Sequence, residues 1–109
     1  MSPETFKAIV DGLVCPIVFC DTEHIIRYMN DMAKEQYAKW GGREKLIGRS
    51  ILDCHNENSC RIMLETFELF KQGEGARYIY FNTKRDKKAF MHPVRDESGN
   101  LLGYYERFE

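Results

Sequence analysis

The first region with a regular pattern of apolar residues lies at the N-terminus. Over residues 4–13 the apolar side chains are three or four positions apart, which is the spacing of one face of a helix. These side chains are Phe6, Ile9, Val10 and Leu13. The pattern predicts a short amphipathic helix whose apolar face requires a surface to pack against.

Two further helices are predicted, one from the residues suited to its ends and one from the spacing of its apolar side chains. Asn30 is suited to cap a helix, because its side chain can accept hydrogen bonds from the free amides of the first turn. The glycine pair at 41–42 is suited to end that helix. A longer helix is predicted over residues 58–71, where Met63 and Phe67 share one face.

Five segments have the composition of strands, because they are rich in β-branched and aromatic residues and are bounded by turn residues. They are residues 17–21, 24–29, 77–83, 88–95 and 101–108. The turn before the last segment contains Gly99, which can adopt a positive φ. The order is two strands, then helices, then three strands, which is the order of an α+β domain, and the first two strands are predicted to form a hairpin.

Composition and charge narrow the classes of function. The chain has 109 residues, enough for one domain, and its 43% hydrophobic and 30% charged residues are typical of a folded globular protein. Basic and acidic side chains number 16 and 17, so we expect neither a nucleic-acid nor a membrane surface. No apolar run approaches the roughly 20 residues of a membrane span, and no signal peptide is recognisable. We therefore expect a cytoplasmic protein with reduced thiols at Cys15, Cys20, Cys54 and Cys60.

The motifs that usually identify an enzyme or a metal site are not found in the sequence. There is no glycine-rich phosphate loop, no nucleophile elbow and no His-Glu-x-x-His zinc motif. No Cys-x-x-Cys occurs either, and the group Cys54, His55 and Cys60 could hold an ion only with a fourth ligand. We expect no catalysis and no metal.

Three segments of the sequence resemble the PAS family of sensory domains. They are the strand-to-helix segment Ile26–Ala33, the loop Leu46–Asp53 with its Gly-Arg-Ser sequence, and the hairpin Val94–Gly103. They occur in the order typical of that family, and the resemblance covers nearly the whole chain. It implies a five-stranded antiparallel sheet with helices on one face. We expect residues 1–13 to form a flanking helix and residues 14–109 to form the PAS domain.

Two short strings bear on the kind of PAS domain. Asp53-Cys54-His55 is similar to the PAS subgroup found beside hemerythrin-like domains, although Asn56-Glu57 replaces the prolines usual after that histidine. Ser59-Cys60-Arg61 is similar to the Asn-Cys-Arg string of flavin-binding light sensors. In those sensors the string directly follows Gly-Arg, whereas Gly48-Arg49 lies well before it here, so a flavin is not expected.

In a PAS domain a ligand lies between the sheet and the helices, and the resemblance implies such a cavity here. Alternation along the strands places Phe19 on the same face as Ile17, and Ile26 on the same face as Tyr28. The residues that we predict to line the cavity are Phe19, Ile26, Tyr28, Tyr37, Met63 and Phe67. The alternative is that these side chains simply form the core that a domain of this size needs.

His55 is the residue with the most specific alternative role. PAS haem proteins bind iron through a histidine on or near the long helix, and the resemblance places His55 at the start of that helix. A haem with His55 as its axial ligand is therefore one hypothesis, and a cap or solvated helix end is the other. His24 and His92 are expected to be structural or exposed.

Together these features predict a non-catalytic sensory domain that binds a small molecule and acts on a partner protein. The apolar N-terminal helix and the tyrosines that must face away from the helices predict a homodimer. One alternative is a ligand-free dimerisation module, and another is a haem-based redox or gas sensor that uses His55. A small enzyme of the ketosteroid-isomerase kind is disfavoured, because that fold needs a longer sheet with buried acids.

Overall fold

The computed structural model describes residues 2–38, 46–83 and 86–109, apart from the side chains of residues 36–38 and 54. The helices are α1 (Pro3–Asp11), α2 (Asp31–Ala38) and α3 (Glu57–Lys71), with a short 3₁₀ helix at Ile51–Cys54. The strands are β1 (Ile17–Asp21), β2 (Ile26–Met29), β3 (Arg77–Asn82), β4 (Lys87–Arg95) and β5 (Leu101–Phe108). The predicted end of α2 at the glycine pair lies outside the described residues.

All five strands form one antiparallel sheet in the order β2-β1-β5-β4-β3. The last strand of the chain therefore lies in the middle of the sheet, between β1 and β4. Helices pack on one face of this sheet, which confirms the predicted α+β fold of the PAS type. Among the described helices, none is long and apolar enough to cross a membrane.

The long helix α3 supplies most of the helical side of the core. Asn56 begins it, because its side-chain Oδ1 accepts a hydrogen bond from the Ser59 amide at 2.8 Å. Its buried face carries Met63, Phe67 and Phe70, which are four and three residues apart as the sequence predicts. These side chains pack against the inner face of the sheet, formed by Val18, Cys20, Ile26, Met29, Met91 and Tyr104.

A bulge at Arg27 determines which face of the sheet the β2 side chains occupy. Phe19 is paired with Tyr28, but the next residue of β1, Cys20, is paired with Ile26, so the register skips Arg27. Ile26 consequently faces the helices and Tyr28 faces away, although they are two positions apart. The structure corrects the predicted orientation of Phe19 and Tyr28, which both lie on the outer face of the sheet.

The N-terminal helix α1 lies apart from this core. Ser2 caps it by accepting a hydrogen bond from the Thr5 amide at 3.2 Å, and Pro3 occupies the first turn. None of its residues is buried, and Phe6 and Ile9 are 54% and 52% exposed. The apolar face that the sequence predicts is thus open to solvent in the single chain. The division at residue 13 into a flanking helix and a PAS domain stays a prediction.

Asn30 connects α1 to the rest of the domain. Its side chain is fully buried, and its Oδ1 accepts hydrogen bonds from the amides of Ile17 and Ala33, both at 2.9 Å. Its Nδ2 donates to the carbonyl oxygens of Val10 and Cys15, both at 3.0 Å. All four hydrogen-bonding positions of the amide are therefore used. The predicted cap of α2 is confirmed, and the same residue holds the end of α1 and the start of β1.

Candidate functional site

Two polar side chains of β5 face the core. Tyr104 and Glu106 alternate along the strand with Tyr105 and Arg107, so the first two share the inner face. Both are fully buried because β5 is the central strand, and Glu106 is paired with Val18 of β1. Burying a carboxyl group is costly unless polar groups accompany it. This row is therefore where a functional site is most expected.

His24 accompanies Tyr104 at one end of the row. It lies in the turn between β1 and β2 with a positive φ of 67°, and the Asp21 carboxylate and carbonyl hold that turn. A hydrogen bond of 2.8 Å joins His24 Nδ1 and Tyr104 Oη, and the His24 ring meets the Phe67 ring edge-on at 4.9 Å. Burial lowers the pKa of His24, and burial above all raises the pKa of Tyr104. Both side chains are accordingly neutral near pH 7.

His55 approaches Glu106 at the other end of the row. It follows the 3₁₀ helix, and its Nδ1 donates a hydrogen bond to the Ile51 carbonyl oxygen at 2.9 Å. Its Nε2 lies 4.0 Å from Glu106 Oε2, and only 14% of the His55 side chain is exposed. His55 therefore points into the core rather than to solvent. We call His24, Tyr104, His55 and Glu106 the inner polar cluster.

The structure brings together half of the residues predicted to line the cavity. Ile26, Met63 and Phe67 lie in the core beside Tyr104, and the Phe67 ring is 5.7 Å from the Tyr104 ring. Tyr37 lies on α2, but its side chain is outside the described part of the chain. Phe19 and Tyr28 lie on the opposite face, as the bulge requires.

Sequence reasoning missed three members of the inner polar cluster. Tyr104 and Glu106 could have been predicted from the alternation of side chains along this strand. They lie four and two residues before Phe108, so a strand that buries Phe108 also buries both of them. His24 gave no such signal. It stands in a turn, and only its positive φ and the reach of its ring bring it under the sheet.

A haem does not fit the described geometry around His55. Nδ1 is engaged by the Ile51 carbonyl, which leaves Nε2 as the nitrogen that could bind iron. That nitrogen faces the buried Glu106 carboxylate, and Met63 and Met91 are fully buried in the adjoining core. Among the described residues, no group of three or more His, Cys, Asp or Glu side chains could hold a metal ion.

The outer face of the sheet is aromatic and partly exposed. The His92 ring stacks on the Tyr105 ring with centroids 4.6 Å apart, and the Arg107 guanidinium lies 4.5 Å above the Phe90 ring. Arg107 Nε also donates to His92 Nε2 at 3.2 Å. With the side chains that are paired with them across the strands, they form what we call the outer aromatic face: Phe19, Tyr28, Tyr78, Phe90, His92, Tyr105 and Arg107.

The outer aromatic face is also where α1 meets the sheet. The Tyr28 hydroxyl donates a hydrogen bond to the Asp11 carboxylate at the end of α1. Burial and this carboxylate raise the pKa of Tyr28, so its hydroxyl keeps its proton and the contact persists. Together with Asn30, this contact fixes where α1 leaves the domain.

Comparison with known proteins identifies the same architecture. A family model described as a PAS domain matches residues 6–109. The C-terminal domain of a protein from Streptococcus mutans superposes with a TM-score of 0.77 at 24% identity, covering 100% of this chain and 84% of that one. No curated protein matches the sequence.

Two further solved structures share the fold. A PAS domain from Colwellia psychrerythraea superposes with a TM-score of 0.70 at 16% identity, covering 97% of this chain and 93% of that one. A sensory box sensor histidine kinase structure from Vibrio cholerae gives 0.66 at 13% identity, covering 96% and 87%. At these identities the likeness concerns the fold.

Proposed function

Since this chain belongs to the PAS family of sensory domains, we propose that it senses a small molecule held between the sheet and the helices. The observation that carries the proposal is the inner polar cluster. Burying a carboxyl group and two imidazoles costs free energy that a purely apolar core avoids. Small-molecule sites, by contrast, combine an apolar wall with a few fixed polar groups. Here Phe67 and Met63 provide such a wall beside Tyr104.

A thermal-shift screen with a metabolite library tests this proposal. A ligand at a hundredfold excess over its Kd stabilises the folded state by roughly 2.7 kcal/mol, which is easily measured. The matched variants are Tyr104→Phe and Tyr105→Phe, which remove the same hydroxyl from neighbouring residues on opposite faces. We expect a ligand shift that falls in the first variant and persists in the second. Equal loss in both variants, or no ligand at all, would contradict the proposal.

We propose that the signal passes through contacts between two copies of this chain. The exposed apolar face of α1 and the outer aromatic face both belong to one chain, and Tyr78 is 52% exposed. In a dimer with two-fold symmetry, α1 of each copy can cover the outer aromatic face of the other copy, so that both surfaces are buried. A partner protein that reads the paired helices belongs to the same proposal.

Analytical ultracentrifugation at micromolar concentration measures this assembly. Phe6→Ser removes an exposed apolar side chain from α1, and Glu4→Ser is the control on the polar side of the same helix. We expect the first variant to have the weaker dimer, so that it dissociates at a higher concentration than the second does. A wild-type chain that is monomeric at high micromolar concentration would exclude the homodimer.

The proposal gives this domain no reaction of its own, as is general among PAS domains. It also places the domain in the cytoplasm, where reduced thiols such as Cys15, Cys20 and Cys60 persist. Membership of the subgroup found beside hemerythrin-like domains stays a prediction.

A ligand-free dimerisation module is the second candidate function. Met63, Phe70 and Met91 are fully buried, which favours a closed core. Met63→Trp separates the two candidates. In a closed core the larger side chain overpacks and costs roughly 1–3 kcal/mol, whereas in a core that opens for a ligand it fills the space, leaves stability nearly unchanged and abolishes binding.

A further inference from the structure

We propose that the free edge of β3 is a docking site for an extended acidic peptide of a partner protein, which adds to the sheet as a sixth strand. This inference goes beyond the proposed function and does not rest on it, because it concerns backbone groups at the margin of the sheet. It follows from the direction of those backbone groups and from the charges at the two ends of β3.

The pairing of β4 determines which backbone groups of β3 are free. Lys88 of β4 exchanges two backbone hydrogen bonds with Glu109, at 2.7 and 3.0 Å, so its N–H and C=O groups are directed towards β5. Hydrogen-bonded and non-hydrogen-bonded pairs alternate along an antiparallel ladder. Phe81 is paired with Lys88. The N–H and C=O groups of Phe81 are therefore directed away from β4, at the open edge of the sheet.

A bulge gives Tyr78 the same edge position. Tyr78 is paired with Phe90, which lies two residues beyond Lys88, so the Phe90 backbone groups also face β5. The register shift between Tyr78 and Tyr80 places the backbone groups of Tyr78 and Phe81 on one edge, although these residues are three positions apart. Among the strands that the structure describes, β3 is the outermost on this side. Both residues thus offer a donor and an acceptor to an incoming strand.

The charges around β3 select the occupant of this edge. Residues 77–95 contain six lysine and arginine residues and one acidic residue, Asp86, although the whole chain has 16 basic and 17 acidic side chains. Arg77 begins β3, whereas Lys87 and Lys88 are paired with its last two residues, and all three side chains are exposed. A peptide with acidic residues at both ends meets opposite charge at each end of the edge.

Other occupants match these features less well. A second copy of β3 in the antiparallel direction would bring its Arg77 beside the lysines of the first copy, and in the parallel direction beside Arg77 itself. Like charges directly opposite each other destabilise a strand pair. A nucleic acid would satisfy the charges, but it has no regular row of N–H and C=O groups to pair with a strand. An extended acidic peptide satisfies both the charges and the backbone groups.

Hydrogen exchange of the ¹⁵N-labelled chain tests this site with the peptide Glu-Glu-Val-Thr-Val-Glu-Glu, acetylated and amidated at its ends. When the peptide is bound, we expect the amides of Tyr78 and Phe81 to exchange at least tenfold more slowly. The amide of Tyr80, which faces β4, should be unchanged. The control peptide is N-methylated at Val-Thr-Val, so it keeps every side chain and charge but lacks these backbone donors. We expect it to give no protection.

Phe81→Pro and Phe81→Ala separate the backbone from the ring. Both remove the phenyl ring, but only proline removes the outward N–H, and proline is tolerated in an edge strand where the N–H faces solvent. By fluorescence anisotropy of labelled peptide, we expect Phe81→Pro to bind at least tenfold more weakly than Phe81→Ala. Lys88→Ala should weaken binding about threefold, whereas Lys71→Ala on α3 should leave it unchanged. If Phe81→Pro does not fold, the exchange experiment on the wild-type chain decides.

Four results would overturn this inference. The first is that the acidic peptide does not bind, and the second is that its N-methylated control or Phe81→Pro leaves binding unchanged. The third is that an oligothymidylate binds more tightly than the peptide, which would make this edge a nucleic-acid surface. The fourth is protection of Tyr78 and Phe81 without peptide that rises with protein concentration, which would assign the edge to a second copy of the chain.

Discussion

The two faces of β5 carry closely similar residues in opposite surroundings. On the inner face Tyr104 and Glu106 are fully buried and meet histidines from loops, whereas on the outer face Tyr105 and Arg107 meet a histidine of the neighbouring strand. The inner contacts are enclosed by α3, but the outer contacts lie beside exposed side chains. The comparison shows that an enclosed set of polar contacts and a partly exposed set of aromatic contacts are one residue apart along a single strand.

The largest difference between the faces is expected for phenylalanine removal. Phe67→Ala removes a buried ring from the core and is expected to lower the free energy of unfolding by about 3–5 kcal/mol. Phe81→Ala removes a ring that is 45% exposed, and its cost should be below about 1 kcal/mol. Urea denaturation of the two variants measures both. Similar losses would mean that the outer face is as firmly packed as the inner face.

A smaller difference is expected for the two tyrosine hydroxyls. Tyr104→Phe leaves the partly buried His24 Nδ1 without its partner, which should cost about 1–2 kcal/mol. Tyr105→Phe keeps the stacked ring and should change stability by less than about 0.5 kcal/mol. Denaturation midpoints at pH 7.5 provide the measurement. If Tyr104→Phe left the free energy of unfolding unchanged, water or another group would have to replace the hydroxyl readily.

Lowering the pH should destabilise the folded protein through one histidine on each face of the sheet. Burial lowers the pKa of His24, and burial together with the Arg107 charge lowers the pKa of His92. A lowered pKa in the folded state means that the unfolded chain binds protons first. The stability contributed by the neutral ring is therefore present above about pH 6.5 and is lost as the pH falls through the folded pKa. His24→Gln and His92→Gln should each make the pH dependence of stability shallower between pH 7 and 5.

The smallest effect is expected at Arg107. Arg107→Gln removes a cation from above the Phe90 ring, a contact worth about 0.5–1 kcal/mol at a partly exposed site. The more specific result concerns His92, whose pKa should rise because a neighbouring positive charge is gone. An NMR titration of the His92 ring measures it. An unchanged pKa would mean that burial alone lowers it.

The order of the elements could be predicted because it depends on local patterns. The cap at Asn30 and the spacing of Met63 and Phe67 are properties of short stretches of sequence, and the structure confirms them. The orientation of Tyr28 could not be predicted, since the bulge at Arg27 depends on how β2 is paired with β1. A strict period of two assigns the wrong face beyond such a bulge.

The candidate site was harder to predict than the fold. Its two β5 members follow from alternation once that strand is known to lie in the middle of the sheet. That position depends on the pairing of β5 with β1, which lie near opposite ends of the chain. His24 and His55 reach the site from irregular segments, where sequence periodicity carries no information about direction. The site is thus a product of tertiary contacts between residues far apart in sequence.

The buried amide of Asn30 has a mechanical consequence. Its four hydrogen bonds hold the last turn of α1, the segment before β1, β1 itself and the first turn of α2, so these parts share one fixed point. Swinging α1 about this point would break bonds in a place that water cannot reach to replace them. A displacement of β1 or α2 is therefore expected to be carried outward by α1 as by a lever, with Pro3 at its far end moving more than Val10.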